Sequence, residues 1–194
     1  MNNELKRAIR ANVTFSNYEL DFVVSFFKVV QLKPKQNFLL QGKKCDSVAF
    51  VQSGTLRAYS LNDRGEESAC YFAHQNEFIT STKSFHTQLP STLNIEAIKP
   101  TELLVISKQD LEQIYFILPK MQEFTIKEIK RMMLKAEEHA AMFVDGGSDQ
   151  RYSQLLTQKS KFAQSVPKQY FTSLIGVSPQ YLRLLRKKIK KFFY

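Results

Sequence analysis

The sequence predicts an α+β protein with an N-terminal antiparallel β jelly roll, a long helix and a C-terminal helical domain. Between residue 32 and about residue 106, short apolar or alternating runs are separated by turn residues, which is typical of an antiparallel sandwich or barrel. Over residues 107–143 the apolar residues recur at helical spacing. The third observation is the distribution of charge. The whole net charge of +10 lies in residues 150–194, which indicates a separate C-terminal domain.

The composition is that of a globular protein. The 194 residues are 43% hydrophobic and 12% aromatic, which is enough to build a packed core. No apolar run approaches the roughly 18 residues that span a bilayer, and the N-terminal segment lacks the apolar stretch of a secretory signal. Cys45 and Cys70 are too few for a disulfide scaffold. We therefore expect a cytoplasmic protein with two reduced thiols and no membrane partner.

The first predicted element is a helix over residues 16–30, with Ser16 as its N-cap and Glu19 completing a capping box. The β-domain follows, with turns predicted at Gln41-Gly42, Ser53-Gly54, Asn62–Gly65 and Lys99-Pro100. The runs predicted to form strands are NFLL, SVAFV, TLRAYSL, SACYF, TLNIEAI and ELLVI.

A short helix up to Leu118-Pro119 precedes the long helix. On the long helix, five residues follow the 3-4-3-4 spacing of a coiled-coil seam, namely Ile129, Met132, Ala136, His139 and Phe143. This stripe could pack on the chain's own β-domain. A helix of this length after a finished barrel more often pairs with a copy of itself, so we expect a homodimer.

Charge divides the chain at the same place as its turn residues. Residues 1–149 hold 18 basic and 18 acidic side chains, whereas residues 150–194 hold ten basic side chains and no acidic one. Such asymmetry indicates a polyanionic partner, either nucleic acid or an anionic membrane. Val144–Asp149 contains paired glycines that should break the helix. The predicted segments are a β-barrel effector domain (1–118), a dimerisation helix (119–144), a hinge (145–149) and a basic domain (150–194).

The basic domain has the spacing of a helix-turn-helix. A helix over residues 150–163 precedes a second one opened by Val166-Pro167, and Ser178-Pro179 supplies the N-cap and first turn of a third. Gly176 can adopt the positive φ that the turn between the last two helices needs. Thr172 occupies a close approach where Ala is usual. The inner faces are apolar at Phe171, Ile175, Val177, Leu182 and Leu185.

In this arrangement the start of the last helix faces outward. Gln180 can bond adenine and Arg183 can bond guanine in a major groove, while later basic residues would contact phosphates. An amphipathic helix on a membrane surface is the alternative, but Gly176 and Ser178-Pro179 interrupt its apolar face. We therefore predict double-stranded DNA as the partner. The predicted DNA-contacting residues are Ser178, Pro179, Gln180, Tyr181, Arg183, Arg186, Lys187 and Lys190.

Two stretches, FLLQGKKCDSVAFVQSGTLRAYSLNDRGEE and VPKQYFTSLIGVSPQYLRLLRKKIKK, give the chain a resemblance to the Crp/Fnr family of bacterial transcription regulators. The resemblance covers nearly the whole chain. It implies a cyclic-nucleotide-binding-type jelly roll, a dimerisation helix and a C-terminal winged helix-turn-helix that binds a near-palindromic site. Gln180, Tyr181, Arg183 and Leu184 replace the Glu, Thr, Ser and Arg of the family pattern, so the usual operator sequence is not expected.

The resemblance also implies a ligand pocket. Cyclic-AMP-binding members hold the cyclic phosphate and ribose with F.GE and RSA stretches, which here read FITST and STL. Thr80 and Ser81 stand for Gly and Glu, and Ser91 stands for the Arg that pairs with phosphate. The corresponding pocket residues are Phe78, Thr80, Ser81, Ser91 and Thr92. We expect no cyclic AMP binding, and either an unknown small-molecule effector or none.

No cofactor, metal or catalytic site is predicted. Two cysteines cannot supply the four thiolates of an iron–sulfur sensor, and isolated histidines such as His74 and His86 are typical of surface or packing positions. The chain has no nucleotide-binding loop, zinc motif or nucleophile elbow, so we expect that the protein is not an enzyme. The alternative function is a ligand-binding module whose basic tail binds a membrane or a protein.

Overall fold

The structure is a computed structural model, and it describes residues 3–145, 147–158, 170, 172 and 176–190. The chain forms two compact units. The first comprises the residues up to Glu66 together with Cys70–Lys130, and the second comprises Glu67–Ala69 and the chain from Arg131 onward. The division between the units therefore falls inside the long helix.

The helices are α1 (Asn3–Arg10), α2 (Asn17–Ser25), α3 (Thr82–Thr87), α4 (Lys108–Ile117), α5 (Lys120–Asp145), α6 (Ser148–Gln158) and α7 (Pro179–Lys190). The strands are β1 (Lys28–Leu32), β2 (Asn37–Leu39), β3 (Ser47–Ser53), β4 (Thr55–Leu61), β5 (Glu67–His74), β6 (Phe78–Ile79), β7 (Asn94–Ala97) and β8 (Thr101–Ser107).

The strands form two four-stranded sheets, in the orders β1-β8-β3-β6 and β2-β7-β4-β5. β8 pairs antiparallel with β1 and β3, and β7 pairs antiparallel with β2 and β4. Because most neighbouring strands are distant in sequence, the chain crosses repeatedly between the sheets, as in a jelly roll. The predicted antiparallel jelly-roll-like domain followed by a long helix is confirmed.

The core of the first unit lies on the apolar faces of these sheets. In the second sheet, the register places Leu39, Leu56, Ala58, Ile95 and Ala97 on one face, and all five are buried. In the first sheet, consecutive residues of β3 (Ala49, Phe50 and Val51) are fully buried. Both faces of β3 are therefore covered, and α1 contacts this strand. Leu5 and Ile9 are the buried residues of α1.

The turn between β3 and β4 requires a glycine. Gly54 has a φ of +102°, a conformation that side-chain-bearing residues rarely adopt. A Cβ atom at this position would lie 2.6 Å from the Cα atom of Thr101. The hairpin therefore approaches the start of β8 more closely than any other residue type permits.

The first half of α5 is attached to the N-terminal segment. Lys120 Nζ donates a hydrogen bond of 2.6 Å to Glu19 Oε2. Two turns later, Lys127 Nζ donates to the carbonyl oxygen of Asn12 at 2.8 Å, and Asn12 Nδ2 donates to Glu128 Oε1 at 3.2 Å. These contacts hold the first part of α5 against the N-terminal segment of the first unit.

The predicted helix over residues 16–30 is wrong at its C-terminal end. The capping box is confirmed, because Glu19 N donates to Ser16 Oγ and Ser16 N donates to Glu19 Oε2. However, α2 ends at Ser25 and residues 28–32 form β1. The β-branched pair Val29-Val30 favours a strand, and antiparallel pairing with β8 outweighs the helical spacing.

The helix ends near the predicted hinge differ slightly from the expected ones. α5 extends through Asp145, and α6 begins at Ser148. The first residue of the predicted hinge and its last two residues are therefore helical. Gly146 lies outside the described residues. The first predicted helix of the basic domain overlaps α6, but residues 159–163 also lie outside the described residues.

Candidate functional site

Three of the five residues predicted to line a ligand pocket are buried and have hydrogen-bonded hydroxyl groups or hydroxyl contacts within the protein. Thr80, Ser81 and Ser91 are each less than a tenth exposed. Ser91 Oγ lies 3.0 Å from Ser81 Oγ and accepts a 3.0 Å hydrogen bond from Leu93 N. Thr80 Oγ1 donates to the carbonyl oxygen of Ser47 at 3.0 Å. Ser81 and Ser91 therefore form a buried hydroxyl cluster, whereas the hydroxyl group of Thr80 contacts the Ser47 carbonyl oxygen and Cys45 Sγ instead.

The segment between β6 and β7 is held by further bonds of this kind. Tyr71 Oη donates to the carbonyl oxygen of Thr80 at 2.7 Å, and burial raises the pKa of the Tyr71 hydroxyl, which keeps it a neutral donor. Ser84 Oγ accepts from Cys45 N at 2.9 Å and donates to the carbonyl oxygen of Leu89. None of these side chains carries the positive charge that a cyclic phosphate would need.

The other two predicted pocket residues lie apart from this cluster. Phe78 is half-buried, and its ring centroid lies 5.0 Å from that of Phe50 and 5.7 Å from that of Phe124. It therefore joins the β-domain core to α5. Thr92 is exposed. A cavity of about 270 Å³ in the first unit is lined by residues 37–40 and 43–47, and by none of the five predicted residues.

The polar face of the second sheet carries a buried ion pair that is not predicted from the sequence. Arg57 Nε lies 3.2 Å from Glu96 Oε1, and both residues are less than a tenth exposed. The guanidinium carbon of Arg57 lies 3.9 Å from the ring centroid of Tyr59, and Tyr59 Oη is 3.4 Å from Glu96 Oε2. The sequence signal was a charged residue at the centre of each strand, but only the register of β4 with β7 joins them.

In the second unit, α7 begins after a tight turn. Gly176 has a φ of +68°, in the left-handed region, and Val177 N donates to the carbonyl oxygen of Thr172 at 2.9 Å. Ser178 caps the helix, since its Oγ accepts from Tyr181 N at 3.2 Å and its carbonyl oxygen accepts from Leu182 N at 3.0 Å. A serine cap satisfies backbone donors that the first helical turn leaves free.

One face of α7 is buried. Leu182 and Leu185 are 4% and 2% exposed, and α7 contacts α6, where Tyr152 is also buried. Val177 is half-buried. Phe171 and Ile175, which are predicted to complete the inner faces, lie outside the described residues.

The opposite face of α7 is exposed. Gln180, Arg183, Leu184 and Lys187 are all exposed, and their spacing of three and four residues places them on one side of a helix. The backbones of Pro179, Arg186 and Lys190 belong to α7, but their side chains lie outside the described set. α7 therefore has an apolar side towards its unit and a polar, basic side towards solvent.

Tyr181, at the edge of this face, makes a hydrogen bond that is not predicted from the sequence. Its hydroxyl group donates to Asp149 Oδ1 at 3.0 Å. Asp149 lies in the first turn of α6, although the sequence suggests a hinge residue. The contact links the first turns of α6 and α7, and its only sequence signal is the acidic residue at a helix start.

The predicted seam of α5 is partly described. Ile129 and Met132 are half-buried and Ala136 is exposed, whereas the side chains of His139 and Phe143 lie outside the described set. Met133 is 66% exposed and Ile126 is 52% exposed. The exposed apolar side chains of Ile126 and Met133 therefore lie on the side of the helix next to Ile129, and the exposed apolar stripe is displaced from the predicted seam.

Among the described residues, no group of three or more His, Cys, Asp or Glu side chains is placed to hold a metal ion. No helix in the same part of the chain is long and apolar enough to cross a membrane.

Comparison with known proteins gives a family match in the β-domain. Residues 29–117 match the family model described as cyclic nucleotide-binding domain. This stretch of the chain is therefore similar to a cyclic nucleotide-binding domain. The match concerns the fold of residues 29–117, and the segment of this fold that contains Ser81 and Ser91 carries uncharged hydroxyl groups.

Curated relatives extend the likeness beyond this domain. The chain is 24% identical over 129 residues to the transcriptional activator protein FnrA of Stutzerimonas stutzeri, a match that covers 66% of this chain and 52% of that protein. It is equally similar, with the same coverage, to the transcriptional activator protein Anr of Pseudomonas protegens. The chain therefore spans about half the length of the curated relatives it matches.

A solved structure resembles most of the fold. The c-di-GMP responsive global regulator CLP of Xanthomonas campestris superposes with a TM-score of 0.74 at 15% sequence identity, over 91% of this chain and 92% of that one. At this identity the likeness concerns the fold alone.

Proposed function

We propose that this chain is a sequence-specific DNA-binding transcription regulator of the Crp/Fnr type that acts as a homodimer. The observation that carries the proposal is α7. Its inner residues Leu182 and Leu185 are buried, while Gln180, Arg183 and Lys187 face solvent along its other side. This helix lies in a segment with ten basic residues and no acidic one.

The chemistry of this face suits a major groove. A glutamine can make two hydrogen bonds to adenine, and an arginine can make two to guanine. Basic residues further along the helix can contact phosphates, which fix the position of the protein without reading sequence. We assign base contacts to Gln180 and Arg183 and a phosphate contact to Lys187.

The homodimer is supported by α5. The seam proposed here differs from the predicted one (Ile129, Met132, Ala136, His139 and Phe143), because Met132 is half-buried whereas Ile126 and Met133 are exposed. The residues of the new seam, which keep the 3-4-3-4 spacing of a coiled coil, are Ile126, Ile129, Met133, Ala136 and Ala140. Four of the five are exposed, and Ile129 is half-buried. Pairing of two such helices would cover apolar surface and place two copies of α7 on successive major grooves, on a near-palindromic site.

The names of the relatives support the same class of function. FnrA and Anr are transcriptional activators by name, and a regulator of this class would act on DNA in the cytoplasm without catalysing a reaction. The effector is not cyclic AMP in this proposal, because Ser81 and Ser91 offer no charge to a phosphate. Another small molecule, or none, would act on the β-domain.

An anionic membrane is the competing partner of the basic tail. A helix that lies on a membrane must present its apolar face to lipid. In α7 the apolar residues Leu182 and Leu185 are already buried within their own unit, which favours DNA.

Selection of binding sites from random duplex DNA, at about physiological salt and without ligand, tests the proposal. We expect an enriched inverted repeat whose half-sites are centred about 10 base pairs, or a multiple of this distance, apart. Sequence-blind binding that vesicles of anionic lipid compete away would overturn the proposal in favour of the membrane.

Two variants refine this selection. Arg183→Ala should relax the preference at one position of each half-site and cost about 1–3 kcal/mol of binding free energy. Lys187→Ala, the matched loss of one exposed positive charge, should weaken binding to all sequences alike and lower the salt slope by about one. Identical behaviour of the two variants would contradict the division between base reading and phosphate contact.

A further inference from the structure

Leu184 is an apolar side chain in the middle of the polar face of α7. It is 61% exposed, although its neighbours Leu182 and Leu185 are almost fully buried. Leu184 therefore contributes little to the packing of the second unit. An exposed leucine on its own needs no explanation, but this one lies among the side chains that we assign to DNA.

Helix geometry fixes where Leu184 would meet the DNA. It follows Gln180 by four residues and precedes Lys187 by three, so all three lie on the same side of α7. The rise of about 1.5 Å per residue places Leu184 about 6 Å along the axis from Gln180, which corresponds to one or two base-pair steps of about 3.4 Å.

A leucine can recognise only one feature at the floor of a major groove. Leucine neither donates nor accepts hydrogen bonds, so adenine, guanine and cytosine edges would lose water without compensation. The C5-methyl group of thymine is the apolar group that the major groove displays. Contact with it would remove apolar surface from water on both partners.

We propose that Leu184 is a specificity-determining residue that recognises the C5-methyl group of a thymine one or two base pairs from the base bound by Gln180. The inference rests on the proposed function, because it takes α7 to be the helix that enters the major groove. It adds an apolar contact to the hydrogen bonds of Gln180 and Arg183, and it defines a chemical requirement at one position of each half-site.

Replacement of thymidine by deoxyuridine tests this contact, because the bases uracil and thymine differ only by the C5-methyl group. Each thymine of the selected site is replaced in turn, and binding to the full-length protein is measured. For the unmodified protein we expect one position per half-site at which the loss of the methyl group weakens binding about four-fold. Replacement by 5-methylcytosine, paired with guanine, tests whether the methyl group alone restores part of the contact.

Variants assign the effect to the side chain. Leu184→Ala removes the part of the side chain that reaches the methyl group, so its binding should not change on deoxyuridine replacement at that position. Leu184→Met keeps a long apolar side chain and should keep the sensitivity. Leu89→Ala, at an exposed leucine of the β-domain, is the matched control and should behave like the unmodified protein.

The outcomes separate this inference from the proposed function. If no sequence is enriched from random DNA, the proposed function fails. If a sequence is enriched but contains no thymine at the required distance, or if deoxyuridine weakens binding equally for the unmodified protein and Leu184→Ala, the inference about Leu184 is overturned and the proposed function stands.

Discussion

At the scale of single residues, Arg57 and Glu96 place two opposite charges inside the β-domain. Removal of one partner from a buried pair leaves an uncompensated charge, which typically costs about 3–5 kcal/mol. We therefore expect Arg57→Met to lower the free energy of unfolding by about this amount. Urea denaturation measures the change.

Two further variants show whether the cost arises from the unpaired charge. The double variant Arg57→Met, Glu96→Leu should recover much of the stability, because no charge then remains buried. Arg7→Ala, which removes an exposed arginine from a surface ion pair, should change the free energy of unfolding by less than about 1 kcal/mol. A double variant as unstable as the single one would contradict the expectation.

The hydroxyl cluster leads to a prediction about ligands. Ser91 bonds to Ser81 and to the Leu93 backbone, and the cluster offers no guanidinium group to a cyclic phosphate. We expect cyclic AMP to leave the Tm unchanged, with 5′-AMP as the control for unspecific effects. A ligand at about 100 times its Kd would stabilise the fold by about 2.7 kcal/mol, so a clear rise of Tm with cyclic AMP alone would contradict this.

What could be foreseen at the residue scale depends on how local the interaction is. The cap between Ser16 and Glu19 spans three residues, so its spacing is visible in the sequence. Arg57 and Glu96 are 39 residues apart, and nothing in either strand identifies the other as its partner. Long-range pairs of this kind follow from strand register, which the sequence alone does not specify.

At the scale of elements, most strands of the β-domain are predictable because turn residues mark their ends. β4 lies between a glycine turn and the Asn62–Gly65 loop, and α4 begins at a serine cap. β1 was missed because its valines fit both a helical and a strand pattern, and β6 is only two residues long. The short helices α1 and α3 lack such signals, and their stability depends on packing against the β-domain.

The contact between α2 and α5 leads to a prediction about pH. The hydrogen bond from Lys120, together with those from Ser16, lowers the pKa of Glu19 from 4.5 to about 2. A carboxyl group with a lowered pKa in the folded state stabilises the fold above its unfolded pKa. This contribution is lost as the pH falls from about 4.5 towards 2. Glu19→Gln should therefore be less stable than the unmodified protein at neutral pH, and the difference should shrink in acid.

Urea denaturation at about pH 6 and about pH 3 measures this difference. A second substitution, Lys120→Met, removes the largest cause of the shift, so Glu19→Gln should have a smaller effect in that background. A difference between Glu19→Gln and the unmodified protein that stays constant over this range would show that the ion pair does not hold the first turn of α5 to α2.

At the scale of the whole molecule, charge and structure divide the chain at different places. The excess of positive charge begins after residue 149, whereas the first compact unit ends at Lys130, inside α5. The distribution of charged residues indicates the basic segment, but it does not predict how far a helix continues. In the proposed regulator, a helix that belongs to both units would join dimerisation to DNA binding, so its exposed face is the surface to test.

Met133 lies on that face and is 66% exposed. In the proposed dimer it would occupy a core position of a coiled coil, where a charge cannot be buried without a partner. Met133→Glu should therefore convert the dimer to a monomer in analytical ultracentrifugation, and it should abolish selection of inverted repeats while weak binding to single half-sites remains. Leu134→Glu introduces the same charge at an equally exposed neighbour, which helix geometry turns about 100° away from Met133, and it should stay dimeric. If both variants remain dimers, two copies associate through another surface, and the register of the α5 pair is wrong.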